Sequence, residues 1–550
     1  MIGVHTSDYL RPFAEEFFEL FKTPWEFYSS GRHYEALVCC GVEPESYSAQ
    51  LLLIYSGTGS PDGEENVPER ETAAAFFDCG KDRIPIYTSQ AGSTTLEIEE
   101  RKRFPDDSAM TIVRLGYNLF LEVAYLLRHG QPVEHAGTPA LELHIGLLRD
   151  VIIQYTEYLI EIPSRPAGHS MIACLTHDVD HPSIRKSHLW PTLLGFFYRA
   201  TLGSIIEVVR GRKSFAQLVI NWRAAFSLPF ICAGFGKDIW ESFGTYSEIE
   251  KKRPSTYFFI PLRGCAGKDR DGVEHPKRAA AYAASELRDA IASLQDEGRE
   301  VGVHGVDSWR DASKGAQERQ AISELTGEKD IGVRMHWLYY DSRAPANLER
   351  AGYTYDSTVG YNDIVGFRAG TTQVFKPFGV SSLLELPLHV MDTALFYPDY
   401  LDLSPDQATE TIAQIVSQTQ RFGGVLTINW HDRSLAPERL WGEAYQNTID
   451  QLTNAGAWFA TCRDAVAWFR CRRNLAFDSV RVDASNVLCI SIHCDEDRGQ
   501  IPPAILRIYP GKSAKLGEGS DARYLDFEIS KSSHDFHLPM HFNEVNEVCA

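Results

Sequence analysis

Thr176-His177-Asp178-Val179-Asp180-His181 follows directly on an apolar run, Met171 to Leu175. Side chains alternate along a strand, so Thr176, Asp178 and Asp180 point one way while His177 and His181 flank them. Two carboxylates at one strand end repel each other unless a cation lies between them or one keeps a proton, and either arrangement suits metal-assisted hydrolysis. Three more runs end in polar groups. Glu300-Val-Gly-Val-His304 turns Gly302 and His304 inward and delivers one imidazole beside small residues, where a metal ligand is useful. In Gly332-Val-Arg334-Met-His336-Trp337, Arg334 and His336 share a face; an inward cation and imidazole want carboxylates, a metal or substrate oxygens as partners. Val425-Leu-Thr427-Ile-Asn429-Trp430-His431 puts Thr427, Asn429 and His431 on the inner face. Each piece alone has an ordinary structural explanation, such as Asp178 and Asp180 capping turns before Pro182 or Arg334 closing a buried salt bridge. Four strand ends supplying Asp, His, Arg and His to one rim point instead to a site for chemistry.

Such a rim needs a scaffold that gathers strand ends. From Ser170 to about Arg472 short apolar runs alternate with helical patterns, as in βαβ units around a parallel sheet. The runs are Met171 to Leu175, Thr256 to Ile260, Glu300 to His304, Gly332 to Tyr339, Tyr353 to Asp356, Leu383 to Val390, Gly424 to Trp430 and Trp458 to Thr461. That number of strands predicts an α/β fold closed as a (β/α) barrel, with its site at the C-terminal ends of the strands. Gly298 supplies a left-handed stop after a helix whose inner face carries Leu287, Ile291 and Leu294, and Ser404-Pro405 with Gln407 reads as a capping-box start. Residues 184–252 form a long, mostly helical insertion after the first strand.

The flanks read differently. Residues 1–166 mix short apolar runs with a helical pattern and suggest an N-terminal α/β domain, ended by the Pro- and Gly-rich Ile162-Pro-Ser-Arg-Pro-Ala-Gly168. The central domain then spans 167–473, and the alternating patches of 474–550 read as a small C-terminal β-rich module. With 54 Lys plus Arg against 74 Asp plus Glu, the net charge of -20 opposes attraction to phosphate backbones, so nucleic acid is not an expected partner. The 11 cysteines show no CxxC pair and read as buried thiols of a reducing compartment; with no apolar leader in the first residues, the expected location is cytoplasmic. The most apolar stretch, Leu189 to Val209, is broken by Pro191, Arg199 and Glu207, so no transmembrane segment is expected there and a buried or partner-facing helix is favoured over one lying on a membrane.

The ordered motifs resemble those of the polysaccharide deacetylase (NodB-homology) family, as a divergent member. Thr176-His177-Asp178-Val179-Asp180 is similar to the family's Thr-Phe-Asp-Asp, with the carboxylates one residue apart, and Pro254-Ser-Thr-Tyr-Phe-Phe-Ile260 is similar to its Ala-Thr-Phe-Phe strand. Glu300-Val-Gly-Val-His304 resembles the strand leading to its metal-binding His, Val333-Arg334 its Arg motif, Tyr355-Asp356-Ser357 a recurrent Tyr-Asp-Ser, and the run ending at His431 its catalytic His. The resemblance covers about Ser170 to Arg472 and implies a distorted (β/α) barrel. It also implies a divalent metal, zinc first and manganese or cobalt next, held by Asp180 and His304. The family's His-x-x-x-His departs here, because Ser308 stands where the second His is expected. His336, Asp307 or water held by Ser308 could replace it, and His336 is preferred because its strand neighbours that of His304.

In the same correspondence Asp178 is the general base, His431 protonates the leaving group and Arg334 orients or charge-balances the base. Trp337, Trp309 and Tyr361 could stack on a sugar. The implied activity is a metal-dependent carbohydrate deacetylase, a hydrolase of C–N bonds that removes N-acetyl (or O-acetyl) from a sugar in surface polysaccharide metabolism. Its substrate would be an acetylated sugar or glycan precursor. The alternatives are a catalytically silent sugar-binding or scaffold protein on the same barrel, or a small-molecule C–N hydrolase.

Overall fold

The computed structural model describes residues 1–56, 72–80, 82–88, 96–102, 109–185, 191–494, 501–511, 524–530 and 533–540. The chain divides into two compact units: Ser170–Phe367 with Lys376–Val466, and Met1–His169 with Arg368–Phe375 and Ala467–Ala550.

The first of these units is built on one curled, all-parallel sheet. Its strands are β1 (Met171–Val179), β2 (Thr256–Phe259), β3 (Glu300–Gly305), β4 (Gly332–Met335), β5 (Tyr355–Asp356), β6 (Leu384–Glu385), β7 (Val390–Met391), β8 (Val425–Asn429) and β9 (Ala457–Ala460). They are ordered β6-β5-β4-β3-β2-β1-β8-β7, with β9 on the first half of β1. The order runs outward from β1 in both directions, and no ladder joins β6 to β7, so the sheet is a barrel left open at one seam. β1 is buried along its whole length, which is why its sequence reads as an apolar run on both faces until Thr176. Every expected run carries strand, but Leu383 to Val390 is broken into two short pieces. Pro387 lies in the break and has no N–H to give a ladder. Side chains of β2, β3 and β4, among them Phe259, Val301, Val303 and Val333, join one apolar core with helix residues such as Ile291, Leu294 and Ile322.

The helix signals read from sequence act as expected. Gly298 has φ +75°, and Ser404 caps the helix Pro405–Phe422 through a reciprocal bond with Gln407. The insertion forms α1 (Pro191–Tyr198), a π-helical turn over Arg199–Gly203, α2 (Ser204–Val209) and α3 (Phe215–Cys232). Of the buried or partner-facing helix expected over Leu189 to Val209, the structure buries only part. Phe196 and Ala200 are buried, but Leu194, Leu202 and Val209 are 57%, 61% and 82% exposed. α3 is long and apolar enough to cross a membrane by length and composition, though one third of it packs inside the protein.

The second unit has a six-stranded sheet in the order Trp25–Phe27, Ile2–Thr6, His33–Cys40, Ser48–Tyr55, Ala109–Leu115, Leu96–Lys102, parallel except for its last pair. The described part of 474–550 is β-rich. Its strand Ala504–Pro510 pairs with both Leu525–Ile529 and Tyr158–Glu161, so the two ends of the chain share a sheet in this unit. Seven of the ten described cysteines are buried, whereas Cys79 is half-buried and Cys232 and Cys265 are exposed.

Candidate active site

Register sets the site. Thr176 of β1 lies beside Thr256 and Asn429, and His304 of β3 beside Arg334 of β4, so all the polar ends open on one rim. Alternation sends His177 to the other face of β1. There its Nδ1–H donates to the Trp430 carbonyl at 2.8 Å, Nε2 lies 2.6 Å from Glu250, and Tyr246 and Tyr257 pack on the ring. His177 is a core residue.

Asp178 is almost fully buried and tightly held. Its Oδ1 accepts from Arg334 at 3.1 Å, its Oδ2 from the Asn429 amide at 2.8 Å, and its own N–H donates to Asn429 at 3.1 Å. Arg334 is fixed in turn by Thr176 at 2.7 Å, by the Ser357 carbonyl and hydroxyl at 3.0 and 2.9 Å, and by the Phe258 ring at 4.6 Å. A donor on each carboxylate oxygen leaves Asp178 one orientation.

Asp180, His304 and His336 converge within 4.8 Å of one another and could hold a metal ion. Oδ1 of Asp180 lies 3.3 Å from Nε2 of His304 and 3.6 Å from Nε2 of His336. These separations match the ~3.3–3.5 Å edge of a tetrahedron around an ion bound at ~2.0–2.1 Å. The tautomer of His304 carries the argument further. Its Nδ1 faces the Arg334 carbonyl at 3.0 Å, and a carbonyl only accepts, so Nδ1–H donates there and Nε2 is the nitrogen turned toward the carboxylate. Oδ1 of Asp180 is buried with no aligned donor. Nε2 of His304 and Oδ1 of Asp180 are thus two buried ligand atoms turned toward one point, where a cation would be held. Burial pushes His336 well below the usual imidazole value against the pull of Asp180, which favours the form that can ligate a metal. Burial opposes ionisation of Asp180, but His336, His304 and His431 around it hold the carboxyl well below its usual range.

The other candidates for a third ligand are engaged. Ser308 is fully buried and bonded to Glu318 and to Tyr353 at 2.5 and 3.0 Å, while Asp307 pairs with Lys314 at 2.6 Å. β4 ends at Met335, and Trp337 and Leu338 follow with φ of +63° and +50°, a left-handed pair that turns the chain sharply behind His336.

His431 caps the far side, with Nε2 3.9 Å from Asp180. Its Nδ1–H donates to Asp392 at 2.6 Å, and Asp392 also accepts from the His431 N–H at 2.8 Å and from the Ser434 hydroxyl. Burial works against the imidazolium, yet Asp392, then Asp180 and Asp178, raise His431 to about 10. Asp392 went unread in the sequence because it follows only two strand residues in Val390-Met391-Asp392. Asp432 is a second unread carboxyl; burial and Asp180 push it up to about 7.

These groups line a cavity of about 450 Å³ whose walls include Asp178, Asp180, His304, His336 and His431. Of the aromatic residues proposed to stack on a sugar, Trp337 is 41% exposed and lines this cavity. Trp309 is 1% exposed within the core, with its ring against Tyr339, so it has no free face for a ligand. Tyr361 is half-buried; Asn362 next to it reaches the cavity wall.

No family model matches the chain, and no curated protein matches it. Solved structures similar to it include a protein of Mycobacterium smegmatis assigned to the polysaccharide deacetylases, at 20% identity and TM-score 0.35, covering 57% of this chain and 96% of that one. A mutant of a CE4-family pseudoenzyme with restored enzymatic activity matches at 12% identity and TM-score 0.26, covering 55% of this chain and 69% of the other.

Proposed function

We propose that the protein is a metal-dependent hydrolase that removes an acyl group, foremost N-acetyl, from an amino sugar. The observation that carries this reading is the convergence of His304 Nε2, His336 and the buried, donor-less Oδ1 of Asp180 at metal-ligand spacing. Asp180, His304 and His336 would hold the ion, and two imidazoles with one carboxylate suit zinc, with manganese or cobalt next. When bound, the ion supplies Lewis acidity to the acyl carbonyl and acidifies water.

The chain's own residues supply the proton traffic. Asp178, oriented by Arg334 and Asn429, takes a proton at Oδ2 from the attacking water. His431, kept cationic by Asp392, gives a proton from Nε2 to the amide nitrogen as the C–N bond breaks. Water and amide become carboxylic acid and amine, so the step balances without a further reactant. Arg334 is a positioning residue, and Trp337 offers a ring to a sugar face.

The test is acetate release from N- and O-acetylated amino sugars by the full chain supplied with zinc, manganese or cobalt. Acetate release that falls by about 10³-fold or more in Asp178→Asn, with the metal retained, supports the reading. Release at the wild-type rate by Asp178→Asn, or none from a wild type with its ion bound, overturns it.

A further inference from the structure

Two guanidinium groups beside the cavity are strangely short of partners. Among the described residues, Arg433 buries an Nε with no hydrogen-bond partner, and Arg439 donates only to the Tyr397 hydroxyl at 2.7 Å. They are held by rings instead of carboxylates: Arg433 lies 4.7 Å over Trp240, and Arg439 lies 4.8 Å over Trp441. The neighbouring Glu438 spends one oxygen on the Trp240 indole at 3.0 Å and leaves the other without a donor. Burial and then Arg439 push Arg433 down to about 10, and Arg439 and Arg433 pull Tyr397 below its usual value against burial. A chain of net charge -20 thus keeps two neighbouring arginines at this wall, with the buried Nε of Arg433 unspent. Arg433 and Arg439 line the same cavity as Asp180 and His431. Planar, preoriented guanidinium groups without carboxylate partners match a phosphate oxygen array.

We propose that Arg433 and Arg439 form an anion subsite for a phosphate carried by the substrate, which makes the substrate class an acylated amino sugar bearing a phosphate or diphosphate. This rests on the hydrolase reading above and deepens it. The test compares kcat/KM for an N-acetyl amino sugar with and without a 1-diphosphate, in wild type, Arg433→Gln and Arg433→Lys, beside calorimetric titration of each full chain with pyrophosphate. The ratio of the two kcat/KM values is expected to fall about 10–100-fold in Arg433→Gln and less in Arg433→Lys, with pyrophosphate affinity falling in parallel. An unchanged ratio in folded Arg433→Gln, or pyrophosphate affinity equal to wild type, overturns the subsite. If neither sugar is hydrolysed, the hydrolase reading fails and the pyrophosphate titration alone decides the subsite. If Arg433→Gln does not fold, Arg433→Lys decides it. A nucleotide-linked and a detergent-dispersed prenyl-linked sugar diphosphate then distinguish the two sources of the phosphate.

A different observation carries a second inference. Residues 184–237 hold eight Lys or Arg and one acid, Glu207, in an otherwise acidic chain, and Arg185, Arg210, Arg223 and Lys237 among them are exposed. One face of α3 packs Ala224, Ala225, Leu228 and Ile231 against Phe196 and Trp240. Its other face leaves Phe215, Phe226 and Phe230 73%, 76% and 66% exposed, next to exposed Arg223. A helix tied down on one side, with Asn221 bonded to the Pro437 carbonyl, is placed to lie on a bilayer and not to cross it. The geometry points to docking of this insertion on an anionic lipid surface, apolar rings entering the interface and basic side chains meeting headgroups. Sedimentation with vesicles of phosphatidylcholine alone or with phosphatidylglycerol tests it. Binding to the anionic vesicles only, weakened by salt and lost in Phe226→Ser with Phe230→Ser, is expected. Equal recovery with and without anionic lipid, or a dimer in solution that the same double substitution breaks, overturns it.

Discussion

At the scale of residues, the account depends on which groups hold protons and what fixes them. Asp392 is fully buried beneath His431, and its charge is what keeps that imidazole cationic. Asp392→Asn retains the shape and removes the charge, so His431 falls from about 10 toward the ordinary imidazole value. The expected outcome is a kcat about 10²-fold lower at neutral pH, and a rate that declines as pH rises past 7 where the wild type holds steady; a pH profile of kcat checks it. The metal content should not change, since Asp392 touches none of Asp180, His304 and His336. At this scale the sequence was readable where a polar residue ended a long apolar run, as Asp178, His304 and His431 do. It was unreadable where the run was two residues long, as before Asp392, and where burial depended on packing from distant segments, as at Trp309.

At the scale of elements, close approach of strands and helices sets the tolerances. The Tyr355 ring lies where a Cβ on Gly332 would have to sit, and its hydroxyl reaches Glu300 at 2.8 Å. Gly332→Ala should therefore cost about 1–3 kcal/mol or more, read as a lower thermal midpoint, because the ring must leave a rigid slot between β4 and β5. A second case lies in the helix Ala140–Tyr155, where burial lowers His144 to about 3. Its folded value lies below the unfolded ~6.5, so the unfolded chain binds the extra proton between those limits and stability falls as pH drops below ~6.5. The loss from this one ring should reach about 2 kcal/mol by pH 5 and be absent in His144→Gln, as measured by amide exchange within that helix. The strands were legible because parallel, two-face-buried segments read as apolar runs, and Pro387 marks the place where one run became two. The insertion was less legible, since exposed and buried apolar helices share one composition, and only the packing of Ala224 and Leu228 against Trp240 tells which face is free.

At the scale of the molecule, the strand order gathers residues far apart in sequence onto one rim, where two imidazoles and a carboxylate converge as a set that could hold a cation. An ion that binds the folded site and not the unfolded chain must stabilise the fold by mass action, so its removal by a chelator should lower the midpoint of the unit that holds Asp180. A wild type whose melting is indifferent to chelator and to added zinc would count against a resident ion. What residues 1–166 and 474–550 contribute was not written in their composition, and the pairing of Tyr509 with Leu159 shows why: the partner strand lies hundreds of residues away. The most direct test is elemental analysis of the purified full chain beside Asp180→Asn, His304→Ala, His336→Ala and Asp178→Asn. The account predicts about one divalent ion per chain in the wild type and in Asp178→Asn, and its loss in the other three. An ion retained equally in all five proteins, or none in a wild type offered zinc, manganese and cobalt, would contradict it.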